Sequence, residues 1–168
     1  MSLEEAKETL VQAWGTLGSS WGVSRTMAQV HALLMVSPEA LSTEEVMEQL
    51  KISRGNANMN LRDLTDWGIV QKINRSGERR DFYVAEKDIW KVAMQVAKER
   101  KKRELEPILR VLEQVSSVEA DIMDPNAKQF AETVQNIKSF AQKADNALDT
   151  MIKAEQNWLW GSLLKALK

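Results

Sequence analysis

Between residues 41 and 84 the hydrophobic pattern changes from a helical to an extended period, and no other feature of the chain constrains its fold as much. Ser42 with Glu45 three positions on forms a capping box: the hydroxyl accepts an orphan amide and the carboxylate reaches back. Val46 and Leu50 follow on one face, so a short half-buried helix begins here. Ser53 caps a second helix, which carries Ala57, Leu61 and Leu64 on one side and stops at Trp67-Gly68. Glycine just past a helix end takes the left-handed conformation without a Cβ penalty. Residues 69–73 and 82–84 are rich in β-branched and aromatic residues, with Gly77 between them, and read as a hairpin. Two short helices joined by a tight turn and followed by a hairpin predict a winged helix-turn-helix.

The face that this motif turns outward suggests what it contacts. With side chains about 100° apart on a helix, an inward row of Ala57, Leu61 and Leu64 leaves Gly55, Asn56, Met59 and Arg62 pointing away. Arg54 and Asn58 stand on the shoulders of that face, behind the Ser53 cap. Asparagine can bond adenine bidentately and arginine can do the same with guanine, so these residue types suit base edges in a major groove. Three asparagines at 56, 58 and 60 are costly in a helix that has no other use for them. At the hairpin, Lys72, Arg75, Arg79 and Arg80 cluster around Gly77, opposed nearby only by Glu78 and Asp81. Cations at such a tip meet phosphates or the minor groove and supply affinity more than sequence information. The competing reading is a winged helix used as a protein-interaction module, which an acidic or apolar outward face would have favoured.

Several runs together resemble a known family. They are Leu-Ser-Thr-Glu-Glu-Val from residue 41, Ile-Ser-Arg-Gly-Asn-Ala-Asn-Met-Asn-Leu-Arg-Asp-Leu from residue 52, and Trp-Gly-Ile-Val from residue 67. They are similar to the GbsR branch of the MarR-type bacterial regulators. The stretch 22–38 and Gly-Glu-Arg-Arg-Asp-Phe-Tyr from residue 77 follow the same pattern, so the resemblance extends over residues 14–105. It implies a dimeric DNA-binding transcription factor.

Composition excludes much else. The chain has no cysteine and one histidine among 168 residues, which leaves no thiolate metal site and few routes to a His-based triad. No enzyme activity, catalytic residue, cofactor or metal is expected. No apolar run approaches the roughly 18 residues of a bilayer span. The acidic start Met-Ser-Leu-Glu-Glu-Ala-Lys lacks the order of a secretory signal, so a cytoplasmic protein is expected. The net charge of −1 conceals a segregation. Residues 1–50 hold two Lys/Arg against seven Asp/Glu, whereas 51–82 hold seven against four and 83–110 hold eight against five. Positive charge is thus concentrated where phosphate contact is expected.

The flanks read as helices. Leu3, Leu10, Ala13, Trp14 and Leu17 recur at helical steps, while Gly15, Gly18 and Gly22 suggest a break near Ser19-Ser20. A second helix from about Ser24 buries Met27, Val30, Ala32, Leu33 and Leu34, with His31 packed among them. Trp14 and Trp21 are core or interface residues, or else line a ligand pocket. Beyond Ala85 a long helix carries the basic run 98–103, a solvated connector with partial phosphate contact, until Pro107 restarts or kinks it. After Asp124-Pro125, the residues Phe130, Val134, Ile137, Ala141, Ala144, Leu148, Met151 and Trp158 make a heptad seam, widened by Phe140, Ile152 and Leu159.

The expected architecture is mainly α with a small β-wing. Residues 1–88 form the DNA-binding winged helix-turn-helix with its amino-terminal extension, and residues 89–168 a helical dimerisation region. The expected partners are double-stranded DNA, a second copy of the chain in a homodimer, and a small-molecule effector that favours one spacing of the two heads. The expected function is sequence-specific repression at a pseudo-palindromic operator.

Overall fold

The computed structural model describes residues 1–116 and 124–156. Trp158 and Leu159 of the expected seam lie outside these residues. The chain divides into a unit spanning Met1–Val92 and a second that begins at Ala93.

The first unit contains α1 (Leu3–Ser20), α2 (Arg25–Val36), β1 (Leu41–Ser42), α3 (Thr43–Leu50), α4 (Arg54–Asp66), β2 (Val70–Asn74) and β3 (Asp81–Ala85). The caps form as their residues dictate. Ser42 and Glu45 make the reciprocal box at α3, and Ser53 accepts from the Asn56 amide at α4. The Glu45 carboxyl sits below the usual carboxylate range because the Ser42 backbone amide, and then its hydroxyl, bond the charged form. Gly68 takes φ 73° after α4, and Gly77 φ 83° at the hairpin tip. The three strands are antiparallel in the order β1-β3-β2. β1, read in the sequence only as the approach to a cap, pairs Leu41 with Tyr83 and Ser42 with Phe82. The core consists of Val30, Leu34, Val46, Leu61, Leu64, Val70 and Phe82, each almost fully buried.

α1 ends near the expected break at Ser19-Ser20 and departs from expectation in how it packs. It runs unbroken through Gly15 and Gly18 to Ser20, with the Ser19 and Ser20 hydroxyls donating back to the Gly15 and Thr16 carbonyls, and Gly22 follows with φ 75°. Its glycines are contact points: a Cβ on Gly18 would stand 2.5 Å from the Ala28 Cβ, and one on Gly15 would stand 2.7 Å from the Gln29 side chain. α2 therefore packs on the Val11–Gly15–Gly18 side, and Leu3, Leu10 and Leu17 stay exposed. α2 itself buries Met27, Val30, Ala32, Leu33 and Leu34 as its spacing requires. His31 is buried with them, and desolvation, then the nearby Lys87 charge, push its pKa down to about 4. The Lys87 ammonium donates to the carbonyls of Leu34, Met35 and Ser37 at 2.7–2.9 Å, closing the end of α2.

α5 (Ile89–Arg100) continues through a π-helical turn, Lys101–Leu105, into α6 (Glu106–Ser116). Pro107 has no N–H to give the preceding turn, and the widened turn lies immediately before it. α7 (Pro125–Gln156) starts with proline in its first turn, and the Asp124 carboxylate accepts from the Asn126 amide.

In the second unit Val134 and Ala141 of α7 are buried with Leu112 of α6, against Leu105, Leu109 and Val115. Lys101 reaches Asp145 at 3.2 Å and Asp149 at 2.5 Å, and Lys138 reaches Glu113 at 2.5 Å. The heptad seam thus splits. Val134 and Ala141 serve packing within the chain, Leu148 is half-buried, and Phe130, Ile137 and Met151 are about half exposed. In the basic run 98–103, three cations are paired within their own unit: Arg100 with Glu104, Arg103 with Glu99, and Lys101 with the two aspartates.

Candidate nucleic-acid interface

α4 is held rigidly from behind. Ala57 and Leu61 have no exposed surface and Leu64 has 1%, against α2 and α3. The helix is about 20 Å long at 1.5 Å per residue, and Trp67 is buried at its end. With the inward row fixed, Arg54, Asn58 and Arg62 follow one another at four-residue steps on the exposed side, flanked by Gly55 and Met59. Met59 is 55% exposed on an otherwise polar face. No packing neighbour demands the glycine at 55, since a Cβ there would meet no atom within 4 Å beyond its chain neighbours and its own helix backbone.

The three asparagines separate into two kinds. Asn60 is 1% exposed and donates its amide to the Asn56 carbonyl at 2.8 Å and to Asn56 Oδ1 at 2.6 Å. It is structural, and it fixes the Asn56 amide with the oxygen inward and the NH2 available as donor. Asn58 is exposed, and its Oδ1 has only a long 3.4 Å contact from the Thr43 hydroxyl. Asn58 and Arg62 are therefore the side chains best placed for two-pronged hydrogen bonding to a planar edge. Ser53 is committed to the cap through its acceptor lone pairs, which leaves its hydroxyl proton as a donor.

Most of the cations already have partners. Arg54 meets Glu44 at 2.8 Å, Lys72 meets Asp81 at 2.9 Å, and Arg80 meets Glu78 at 2.6 Å. The Asp81 hydrogen bond holds the Lys72 ammonium above its usual range, and Glu78 does the same for Arg80. Arg75 is tied more deeply. It lies 4.3 Å above the Phe82 ring and donates to the Ala40 carbonyl at 3.2 Å and to Glu39 at 3.4 Å. It fastens the wing to the loop before β1. Among the described residues, Arg62 and Arg79 make no ion pair within 4 Å. Lys51 was overlooked in the sequence. It sits in the turn between α3 and α4, exposed and left-handed at φ 54°, which is unusual for a residue other than glycine. A hydrophilic residue between two capped helices was the available signal for it.

Trp21 is 58% exposed at the end of α1 and Trp14 is half-buried. Among the described residues no group of three His, Asp or Glu side chains is arranged to hold a metal ion. No described helix is long and apolar enough to cross a membrane.

Comparison with known proteins gives a consistent picture. The chain is 22% identical over 158 residues to the HTH-type transcriptional repressor GbsR of Bacillus subtilis, covering 94% of this chain and 84% of that one. It is 23% identical over 88 residues to the HTH-type transcriptional repressor OpcR of the same organism, covering 52% and 48%. No family model matches. A crystal structure of a transcriptional regulator superposes with a TM-score of 0.63 at 18% identity, over 90% of this chain and 99% of the other. The first of these relatives carries the name of the regulator branch that the motifs of residues 41–70 resemble, and the solved structure shares the winged, mainly helical fold. The relatives are named as regulators of transcription and not as enzymes.

Proposed function

We propose that the chain is a DNA-binding transcriptional repressor that acts in the cytoplasm as a homodimer on a pseudo-palindromic operator. The observation that carries this reading is the exposed row Arg54–Asn58–Arg62, with Met59 and Gly55 beside it, on a helix fixed by complete burial of its opposite face. A guanidinium and an amide at that spacing bond purine edges, and an exposed methionine packs against thymine methyls. Arg79, Lys51 and the Ser53 hydroxyl add phosphate contacts around the head, with Lys72, Arg75 and Arg80 of the wing behind them. That the curated relatives are named repressors supports this reading.

The dimer rests on α7. Its row of Phe130, Ile137 and Met151, with Phe140 74% exposed, is apolar surface that α6 does not cover. A second copy covers it and supplies the second head that a two-fold operator requires. An effector that prefers one spacing of the two heads shifts the population between binding and non-binding forms.

The direct test is Arg62→Ala in titrations against DNA selected by the wild-type protein, at fixed salt. Loss of a bidentate base contact costs about 1–3 kcal/mol on selected DNA and much less on random DNA. If Arg62→Ala and Asn58→Ala both leave affinity and preference unchanged, α4 is not the reading element.

A further inference from the structure

The head presents fewer free cations than its composition promises. Of the candidate contacts on α4 and the wing, Arg54 and Lys72 are each within 2.9 Å of a carboxylate on a neighbouring helix or strand, and Arg80 lies 2.6 Å from a carboxylate two residues before it in the hairpin tip. The three carboxylates belong to Glu44, Asp81 and Glu78. None of these pairs is buried: the Arg54 and Glu44 side chains are 62% and 43% exposed, and the others are similar. Surface pairs of this kind add little to folding stability, so the fold gives weak reason for three of them to surround one interface. Their effect on an incoming polyanion is larger. A phosphate approaching any of these cations comes within a Debye length, about 8–10 Å, of the paired carboxylate, and it must displace or share the cation to bind.

We propose that Glu44, Glu78 and Asp81 are specificity-determining residues, which suppress sequence-independent attraction to the DNA backbone so that base contacts decide where the protein binds. The inference rests on the DNA-binding reading above. Sequence-independent affinity comes from the number of phosphates neutralised, and it is spent on every non-target site in competition with the operator. Each internal carboxylate cancels one such contact while leaving Arg62, Asn58 and Met59 untouched. Glu44 matters most, because its partner Arg54 is in the same row as the two reading side chains. The neighbouring Glu45 has a different task, since its carboxylate is committed to the Ser42 cap.

The experiment compares the full-length wild type with E44Q and with the triple variant E44Q/E78Q/D81N. Each is titrated against a random-sequence duplex and a wild-type-selected duplex at several salt concentrations. Each lost carboxylate should raise random-duplex affinity about threefold, or roughly thirtyfold for the triple variant, with a salt slope steeper by about one unit per freed cation. The ratio of selected to random affinity should fall. A wild type that binds selected DNA, with variants of unchanged helicity that gain nothing on random duplex, overturns this inference and leaves the DNA reading standing. A wild type that binds no duplex at low salt overturns both. E44Q alone decides the matter if the triple variant misfolds, because Glu44 makes no cap and its side chain is half exposed.

Discussion

Gly55 and Gly18 are both helical glycines, and the structure assigns opposite consequences to the same substitution. Beyond its chain neighbours and its own helix backbone, a Cβ at Gly55 meets no atom within 4 Å, whereas one at Gly18 falls 2.5 Å from the Ala28 Cβ. Alanine gains up to about 1 kcal/mol of helix propensity at either position. At Gly55 nothing offsets that gain, so Gly55→Ala should raise the urea midpoint. At Gly18 the added methyl lies 1 Å or more inside the ~3.5–4.0 Å carbon contact distance. The atom it meets is fixed to the backbone of α2 and cannot swing aside, so overpacking of about 1–3 kcal/mol outweighs the gain and the midpoint should fall. DNA titration then separates stability from function. The fold does not need the open surface at Gly55, but close approach to DNA does, so a methyl there should weaken selected DNA about fivefold, or ~1 kcal/mol, in a more stable protein. If Gly55→Ala is stabilised and binds as well as wild type, the close approach is not used. If it is destabilised, the steric argument itself is wrong.

Other outcomes follow from the same geometry. The folded pKa of His31, about 4, lies below the ~6.5 of an unfolded histidine. Its contribution is therefore complete above pH 6.5 and declines as pH falls toward 4, by up to about 3 kcal/mol; a His31→Leu variant should show a flatter stability profile across that window. Phe140→Asp, on the exposed side of α7, should halve the mass seen by light scattering without loss of helix, and an unchanged mass would remove that face from the interface. Val134→Asp places a charge in the α6–α7 core and should instead cost several kcal/mol of stability and reduce helicity.

What was legible in the sequence was local chemistry. Ser42 with Glu45 and Ser53 carry side chains that cap a helix, Gly68 and Gly77 can take the positive φ that other residues resist, and each does what its chemistry suggests. The inward row Ala57–Leu61–Leu64 was equally plain, because two short helices and a hairpin offer one way to bury it. Reading failed where a face had to be matched with its cover. Periodicity marks a stripe on α1 as apolar but does not say that α2 approaches the glycine side instead, since helix-breaking and close-packing glycines look alike until a neighbour is present. Asn60 was misjudged for a related reason: an amide four residues from another can bond it and be buried, and propensity alone makes it look like a wasted surface residue.

Charge is where the two levels differ most in consequence. Counted along the chain, residues 51–82 carry seven Lys/Arg against four Asp/Glu. In space, most of that excess is engaged. Lys72 stands opposite Tyr83, so Asp81, two residues away on the same face of β3, lies on the diagonal that a lysine reaches. Arg54 closes across the turn onto Glu44, ten positions earlier. Affinity for a polyanion follows the cations that remain accessible after such pairing, and discrimination follows the donors that face bases. A head in which Lys51, Arg62 and Arg79 make no ion pair among the described residues, while Arg54, Lys72, Arg75 and Arg80 are held in exchangeable surface pairs, is suited to weak general attraction and selective local contact.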